Sequence, residues 1–486
     1  MFAVVRQFFR LQAGSYRDCL VRLQAGSYGR HCSVRLQAGS YGRIVGACLQ
    51  ANLRSSCLAA LLLALGLNNA HAQSAGPVSV NDEVAAQFAL VAADPRVQTT
   101  LEQIAAAEPE TLAEQVRITE IPAPPFGEQR RAEYYVQQMR QRGLPDAFID
   151  AEGNAVGLLR GTGDGPLFVI AAHLDTVFPL ETDVSVELRD GRYYAPGISD
   201  DGRGLTALLT LIEAITSSGI RTVGDILFVG NVGEEGPGDL RGIKAIFRDY
   251  PDIDGFVSID GSGLTRMTTG GTGSRRFAVE FTGPGGHSFS AFGMVSAIHA
   301  MGRAITRIGD LQVPQTPRTT FTVGTVTGGT SVNSIAADAM FELDMRSNDA
   351  AELARLEARV REVTAQAVAE ENARWDNNGE ITVNFRLIGD RPTGSTAPEH
   401  PLVQVAALAF EAVDSPLEAL RTSSTDSNIP MSLGVPAITI GGGGSSGGEH
   451  APEEWYEPTD SHKGPQLAFL LTLGLVGIEG LSAPQL

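Results

Sequence analysis

Apolar runs alternate with amphipathic stretches through the middle of the chain. Leu167–Ala172 is apolar throughout, which is typical of a strand buried on both faces of a parallel sheet. The pattern that follows predicts a helix at Leu205–Ser218, a strand at Ile226–Val232, a helix at Ile243–Tyr250 and a strand at Phe256–Ile259. The sequence therefore predicts an α/β fold, with a mostly parallel sheet and helices on both faces.

The rhythm of the elements changes after Gly270. The predicted order becomes βαββαβ, with strands at Arg275–Thr282, Thr319–Thr327, Ala339–Arg346 and Ile381–Ile388 and helices at Val295–Ile308 and Ala350–Ala373. This order is the ferredoxin-like plan. We expect residues 271–390 to form an inserted lid or dimerisation domain.

The α/β pattern also occupies the segments on either side of this insert. Before the central strands, the sequence predicts helices at Glu102–Ile118 and Glu128–Gly143, separated by the proline-rich and irregular segment Glu120–Phe126. After the insert, a helix at His400–Val413, a strand at Ala437–Ile440 and a helix at Lys463–Ile478 are predicted. Residues 73–270 and 391–486 are thus expected to form one catalytic domain that is split in sequence.

Residues 1–72 are predicted to be a discarded leader. The heptapeptide RLQAGSY occurs three times there, which favours translated non-coding sequence upstream of a misassigned start, with a real extension as the alternative. Arg54, the apolar run Cys57–Leu67 and an Ala-x-Ala ending together resemble a secretory signal, with cleavage expected after Ala72. An uncut membrane anchor is the other interpretation. The sequence therefore predicts an exported protein, periplasmic or secreted.

The charge and the cysteines narrow the chemistry. Residues 1–72 hold eight arginines and one acidic residue, so the rest of the chain carries 29 basic and 55 acidic side chains. A chain this acidic repels phosphate backbones, so we expect no nucleic-acid partner. All four cysteines lie before residue 58, so a mature chain would have no disulfide and no thiolate ligand. Any metal must then be held by His, Asp and Glu.

Candidate ligands follow the apolar runs at five places. They are His173 and Asp175 in LFVIAAHLDTVF, Asp200 in APGISDDGRG, Glu234 and Glu235 in ILFVGNVGEEG, Asp260 in GFVSIDG, and His450 in GGEHAPEEW. In open α/β sheets, ligands bind beyond the carboxyl ends of the strands, so we expect these side chains to converge on one rim. Each motif alone has an ordinary structural interpretation, and His462 competes with His450 as the late ligand.

Counting charges indicates a site for two divalent cations. Asp200, Glu235 and Asp260 bring three negative charges, which two divalent ions and a shared hydroxide would balance to about zero. Without a cation, carboxylates crowded in this way repel one another and raise one another's pKa values. A set of nitrogen and oxygen ligands that includes histidine suits zinc best, with cobalt or manganese as alternatives.

These motifs together resemble the M20 family of co-catalytic metallopeptidases and amidohydrolases, in particular its peptidase T-like and carboxypeptidase G2-like branches. The resemblance covers roughly Leu101 to Glu479. It implies that His173 and Asp260 bind one metal, that Glu235 and His450 bind the other, and that Asp200 bridges both. It further implies that Asp175 orients His173 and that Glu234 is the general base.

The resemblance extends to the insert and to one later segment. His287, in the sequence Gly-Gly-His-Ser, is expected to reach across a dimer and stabilise the oxyanion. Asn333 and Arg346 are expected to bind the substrate carboxylate, and Asp426 is expected to accept a hydrogen bond behind the metal ligands. The chain departs from the family at Gly202, where many members have lysine, and after Ser288, where smaller residues are usual.

The sequence therefore predicts a two-metal hydrolase that cleaves an amide bond in small peptides and is dimeric through its insert. Expected partners are a small peptide or an N-acyl amino acid and a second copy of the chain, with no membrane contact after signal cleavage. Two alternatives stay open. One is a deacylase of N-acyl amino acids, and the other is a non-catalytic periplasmic protein that binds a metal or a peptide, which would have no need of Glu234 as a base.

Overall fold

The computed structural model describes residues 19–24, 31–36, 78–374, 376 and 378–486. Within residues 1–72, strand β1 (Cys19–Gln24) pairs antiparallel with β2 (His31–Leu36). The predicted signal sequence and its cleavage site after Ala72 lie outside the described residues and stay a prediction. In the part of the chain that is described, no helix has the length and apolar character needed to cross a membrane.

Residues 73–486 form one compact unit that begins with four helices. These are α1 (Asp82–Ala93), α2 (Pro95–Ala106), α3 (Glu108–Thr119) and α4 (Gln129–Gln141). The prediction of a single helix at Glu102–Ile118 is wrong, because this segment belongs to two helices, α2 and α3, that are separated at Ala107. Pro109 explains the break: it has no N–H to donate and its ring would clash with the carbonyl four residues earlier, so it is tolerated only in a first turn.

The remaining elements build several sheets, and the central sheet takes strands from both halves of the split domain. The elements that follow α4 are β3 (Phe148–Ile149), β4 (Ala155–Leu159), β5 (Leu167–His173), β6 (Glu187–Arg189), β7 (Arg192–Tyr194), α5 (Gly202–Ser217), β8 (Asp225–Asn231), α6 (Arg241–Asp249), β9 (Gly255–Ile259) and β10 (Arg266–Gly271). The segment after Gly271 adds β11 (Gly273–Thr282), β12 (Gly286–His287), α7 (Ala297–Gly309), β13 (Thr319–Gly328), β14 (Ser334–Ile335), β15 (Asp338–Ser347), α8 (Ala350–Ala373) and β16 (Thr382–Arg391). The last elements are β17 (Gly394–Ser395), α9 (Pro401–Ala412), β18 (Ala419–Ser423), α10 (Asn428–Ser432), β19 (Ala437–Ile440), β20 (Ser445–Gly447), β21 (Trp455–Glu457) and α11 (Lys463–Val476).

The strands of the central sheet lie in the order β17-β10-β19-β9-β5-β8-β4-β3, and β18 also pairs with β10. The four central strands, β19, β9, β5 and β8, are parallel to one another, whereas β10 pairs antiparallel with β19 and β4 pairs antiparallel with β8. The predicted α/β fold with a parallel sheet at its centre is therefore confirmed. Since the central strands are parallel, their carboxyl ends share one edge.

Strand β5 explains why the sheet needs an apolar run. Phe168, Ile170 and Ala172 lie in a core that also contains residues of α5 and α11, whereas Val169 and Ala171 lie in a core with residues of α6. Successive side chains of a strand point to opposite faces, so a strand covered on both faces has no polar positions. Helices thus cover both faces of the sheet.

Residues 273–391 form a second sheet, which has four strands and its own hydrophobic core. Its strands lie in the order β13-β15-β11-β16, and each neighbouring pair is antiparallel. Helices α7 and α8 pack against this sheet around Phe281, Phe341 and Val360. Segment β12, which carries His287, pairs only with β14 and lies outside that sheet.

Candidate metal centre

The carboxyl edge of the parallel strands carries the predicted ligands. His173 is the last residue of β5, and Asp260 directly follows β9. Glu234 and Glu235 follow β8 after a short turn, and all four residues are buried or largely buried. The placement of these side chains follows from the fold, because the parallel strands end at the same edge.

Asp200 stands between the two histidines. Its Oδ1 lies 3.0 Å from Nε2 of His173, and its Oδ2 lies 3.1 Å from Nε2 of His450. His450 Nε2 also lies 3.0 Å from Oε1 of Glu235. One carboxylate thus reaches two imidazoles with different oxygens, which is the arrangement expected of a residue that bridges two cations.

Glu454 holds the loop that carries Asp200. Its buried carboxylate accepts hydrogen bonds from the backbone N–H groups of Gly197 at 2.9 Å, Ser199 at 2.8 Å and Asp200 at 3.0 Å. The sequence reasoning did not single out Glu454, although it lies four residues after His450. Its only signal was a glutamate within a ligand-bearing segment, which is also ordinary for a surface loop.

Asp201 is joined to Asp200 by a cis peptide bond, but its carboxylate binds backbone N–H groups and contacts no histidine side chain among the hydrogen bonds of the described residues. Its Oδ1 accepts from the N–H groups of Gly204 and Gly261 at 3.0 and 3.1 Å, and its Oδ2 accepts from the N–H of His173 at 3.0 Å. Asp201 therefore caps α5 and ties it to the ends of β5 and β9.

Two groups of residues could hold a cation. One contains His173, Asp200 and Glu235, and the other contains His173, Asp201 and Asp260; within each, the ligand atoms lie within 4.8 Å of one another. Because both oxygens of Asp201 already accept backbone N–H groups, Asp200 is the more available carboxylate for either cation. The donor set of carboxylates and imidazoles fits divalent metals of the zinc type.

Asp175 links the histidine to the two glutamates. Its fully buried carboxylate accepts hydrogen bonds from the backbone N–H of Glu234 at 3.0 Å and of Glu235 at 2.8 Å. Its Oδ1 lies 3.7 Å from Nδ1 of His173, whereas its backbone oxygen lies 3.0 Å from that nitrogen. The Asp175 carboxylate therefore holds the backbone of the two glutamates, and the Asp175 carbonyl oxygen makes the nearer contact with the His173 ring. The sequence predicted a contact of His173 with the carboxylate and not with the carbonyl.

Arg391 is a second residue that sequence reasoning missed. Its Nη1 lies 3.2 Å from Oε1 of Glu234, and its Nη2 donates to the backbone oxygen of Glu234. Burial raises the pKa of Glu234 well above its usual value, and the charge of Arg391 opposes that rise. Nothing in the sequence near Arg391, at the end of β16, pointed to this contact.

The pKa values of the other candidate ligands reflect buried carboxylates and imidazoles that lie close together. Burial and the neighbouring Asp200 raise the pKa of Asp260 to about 7. Burial acts to raise the pKa of Asp200 as well, but hydrogen bonds from the two imidazoles hold that pKa well below its usual range. Hydrogen bonds to Asp200 and Glu235 raise the pKa of His450 to about 11.

The residues predicted from the insert are not all brought to this edge. Arg346 lines the cleft above the metal ligands, and its Nε donates to Asp344 at 2.8 Å. His287, on β12, and Asn333, in the turn directly before β14, are both exposed and do not line this cleft. Nδ1 of His287 accepts from the N–H groups of Phe289 and Ser290 at 3.2 and 3.3 Å. The roles predicted for these residues stay predictions.

Asp426 lies behind the ligands. It is fully buried, and its Oδ2 accepts from Nδ2 of Asn231 at 2.7 Å. Its Oδ1 is buried and has no hydrogen-bond partner among the described residues. Burial raises the pKa of Asp426 to about 6. An unpartnered carboxylate oxygen beside this cluster supports a cation or a further donor nearby.

A cleft of about 680 Å³ opens over the cluster. Its floor contains Asp200, Glu234, Glu235, Asp260 and His450. Its walls carry threonine and serine hydroxyls and several arginine side chains. The cleft can therefore admit a small polar molecule, and the predicted base and the candidate metal ligands face it together.

Comparisons with known proteins show the family to which this chain is similar. Residues 169–472 match the family model for peptidase family M20/M25/M40. The succinyl-diaminopimelate desuccinylase of Bordetella avium is 28% identical over 249 residues, which are 47% of this chain and 65% of that enzyme. The chain thus spans slightly less than two thirds of that relative's length.

Two solved structures share the fold. Aminopeptidase PepT of Bacillus cereus superposes with a TM-score of 0.61 at 20% identity, over 75% of this chain and 97% of that one. The Bacillus subtilis protein YXEP, a dinuclear metal-binding peptidase from the M20 family, superposes with a TM-score of 0.56 at 14% identity, over 76% of this chain and 99% of that one.

Proposed function

The chain belongs to peptidase family M20/M25/M40, and on that premise we propose that it is a two-metal hydrolase that cleaves an amide bond in small peptides. The observation that carries the proposal is the position of Asp200. Its two oxygens meet the imidazoles of His173 and His450 at 3.0 and 3.1 Å. In a two-metal hydrolase, a carboxylate placed in this way can bind one cation with each oxygen, which is the reason that this contact supports the proposal.

Five residues would hold the two cations. His173 and Asp260 would bind one, Glu235 and His450 would bind the other, and Asp200 would bind both. Zinc is the preferred ion, with cobalt or manganese as alternatives, because imidazole and carboxylate ligands without thiolate suit all three. Bound divalent metal supplies a polarised scissile carbonyl and a water whose pKa is lowered to about 7.

Glu234 would act as the general base. Arg391 engages Oε1 of Glu234, so Oε2 is the oxygen that can accept a proton from the attacking water and pass it to the leaving amine. Burial favours the protonated form of Glu234 and the Arg391 charge favours the ionised form, so this side chain can exchange a proton in either direction. The backbone N–H of Glu234, bound to Asp175, holds this side chain in place.

We further propose that residues 271–390 act as a ferredoxin-like lid and dimerisation domain. His287 is exposed, and its Nδ1 accepts two backbone N–H groups, which favours the tautomer with a proton on Nε2. An exposed N–H donor of this kind could stabilise an oxyanion in a second copy of the chain. Asn333 and Arg346 would bind the substrate carboxylate.

Export and periplasmic or secreted location are proposed from the sequence of residues 1–72 alone. A second candidate function is a deacylase of N-acyl amino acids. The match to a desuccinylase supports it, since that enzyme removes an acyl group from an amine. The same residues would serve both reactions.

The test combines metal analysis with turnover. Purified protein and its Glu234→Ala variant would be analysed for metal content and assayed on a panel of dipeptides and N-acyl amino acids. Exposed Glu213, on α5, provides the matched control variant Glu213→Ala. We expect about two metals per chain in all three proteins and turnover lost only in Glu234→Ala. Metal-free protein, or turnover that survives loss of Glu234, would refute the proposal.

A further inference from the structure

The walls of the cleft carry an unusual number of cationic side chains for an acidic protein. Five arginines line it: Arg266, Arg276, Arg346, Arg391 and Arg421. The chain after residue 72 carries 29 basic and 55 acidic residues, so the positive charge is concentrated at this place against the overall balance. Local charge that opposes the net charge of a protein indicates what a cleft attracts.

Three of these arginines already have partners. Arg276 donates to Oδ1 of Asp344 at 3.0 Å and to the backbone oxygen of Gly236, and Arg346 donates to Oδ2 of the same aspartate at 2.8 Å. Arg391 is paired with Glu234. These contacts position the three side chains and neutralise part of their charge.

Arg266 and Arg421 differ from the other three. Both are exposed and line the cleft, and neither guanidinium group forms a hydrogen bond or an ion pair with any described residue. They lie on adjacent parallel strands: Arg266 pairs with Ala419, and Thr268 pairs with Arg421. Since residues two apart on a strand share a face, both guanidinium groups and the Thr268 hydroxyl belong to the same side of the sheet.

The position of this pair relative to the metal ligands follows from the strand order. Asp260 follows β9, which pairs with β19; Thr439 of β19 pairs with Thr268 of β10, and β18 comes next. Three strand spacings of about 4.8 Å put the backbone of Arg421 roughly 14 Å from the strand that presents Asp260. The hydroxyls of Thr268 and Thr439, on the two strands between, line the same cleft.

We propose that Arg266 and Arg421 form an anion subsite that binds a negatively charged group of the substrate distant from the scissile amide. This subsite rests on the proposed hydrolase function and defines the substrate class. The substrate would be an amide that carries an anionic group on the portion lying over β10 and β18, in addition to any carboxylate bound by Arg346. Guanidinium groups bind carboxylate and phosphate with paired N–H donors, so either group satisfies the chemistry.

The test compares matched substrates that differ only in this charge. An N-succinyl amino acid and the N-butanoyl derivative of the same amino acid have acyl chains of equal length, and a phosphoserine dipeptide and its serine counterpart provide the phosphate comparison. The variants are Arg266→Gln, Arg421→Gln and the double variant. Arg248→Gln is the control, because Arg248 is an exposed arginine that pairs with Asp249 on α6, outside the cleft.

In the wild type we expect kcat/KM to be higher for the charged member of one pair, and that pair identifies carboxylate or phosphate as the anion. Each single variant should lower kcat/KM for the charged substrate by about 10- to 100-fold, the usual range for a hydrogen bond to a charged group. Turnover of the neutral substrate should change by less than about twofold. Equal loss on both members of each pair, or no loss on either, would overturn the proposal.

A binding measurement separates this proposal from the proposed function. Succinate and inorganic phosphate are titrated calorimetrically into the wild type, the double variant and Arg248→Gln. Weaker binding of at least one anion to the double variant alone supports the subsite, even if no amide on the panel is cleaved and the hydrolase proposal fails. Identical anion affinity in all three proteins refutes the subsite, even if the enzyme is an active hydrolase.

Discussion

The Nη1 atom of Arg391 lies 3.2 Å from Oε1 of Glu234, and both side chains are buried where the second sheet meets the candidate metal ligands. Arg391 is the last residue of β16, whereas Glu234 follows β8 of the central sheet. The contact therefore couples the proposed base to the segment that carries the proposed lid. Because both charges are buried, removal of either one leaves the other uncompensated.

Replacement of Arg391 should shift the pH dependence of activity. The Arg391 charge lowers the pKa of Glu234, so Arg391→Gln should raise it. A general base acts only when it is deprotonated, and the acid limb of the kcat/KM profile should therefore move to higher pH. The measurement is a pH–rate profile of both proteins. Arg391→Lys retains the charge and should show a smaller shift; an unchanged acid limb in Arg391→Gln would contradict the pairing.

Glu234→Gln tests the base itself. The amide keeps the size of the side chain but cannot accept a proton, so kcat should fall by about 10²- to 10⁴-fold. Metal content should stay unchanged, because Glu235 and not Glu234 contacts His450. The measurements are steady-state kinetics and metal analysis of the same preparation. Loss of metal together with activity would mean that Glu234 is a ligand.

His450→Ala distinguishes the two candidates for the late ligand. His450 Nε2 lies 3.1 Å from Asp200 and 3.0 Å from Glu235, whereas His462 lies directly before α11 and does not line the cleft. We expect His450→Ala to retain about one metal per chain and His462→Ala to retain two. Metal analysis after dialysis against metal-free buffer measures this. The opposite pattern would assign the ligand to His462.

The metal-free protein should lose stability as pH rises from about 4 to 8. Burial raises the pKa values of Asp260 and Glu454 to about 7 and that of Asp426 to about 6, so the folded state binds more protons than the unfolded chain in this range. The free energy of unfolding then falls with pH. The raised pKa of His450, to about 11, acts in the same direction above pH 6.5, where the unfolded histidine loses its proton.

Urea denaturation of metal-free and metal-loaded protein at several pH values measures this slope. Bound cations favour the ionised carboxylates, so the metal-loaded protein should lose less stability over the same range. Metal-free protein that becomes more stable between pH 5 and 8 would contradict the assignment of these pKa shifts.

Glu454→Gln should disturb the loop that carries Asp200. The carboxylate accepts three backbone N–H groups with two oxygens, whereas glutamine would place an NH₂ donor against at least one of them. An unsatisfied buried donor costs about 1–3 kcal/mol in the free energy of unfolding. The measurement is the urea midpoint together with the metal affinity. Exposed Glu453 provides the control Glu453→Gln, which should match the wild type.

The sequence by itself was sufficient for the local and periodic features. The apolar run of β5 predicted a strand covered on both faces, and the structure places its residues in two cores. Residues at the ends of parallel strands meet for geometric reasons, so the convergence of His173, Glu235 and Asp260 could be predicted without coordinates. The end of one helix and the start of the next at Ala107 did not follow from apolar periodicity, which continues across both helices; the signal for it is Pro109.

Only the tertiary structure decided which polar residues support these ligands. Arg391 lies 157 residues from Glu234, and Glu454 lies 254 residues from Asp200. Hydrogen bonds of this kind depend on where the packing of the two sheets places distant loops. No local pattern around a single arginine or glutamate in the sequence predicts such a contact. The pairing of β18 with β10 likewise brings Arg421 beside Arg266. Apolar periodicity can be recognised in the sequence because burial acts on each residue separately. A specific polar contact cannot be recognised there, because it forms only when folding brings both partners together.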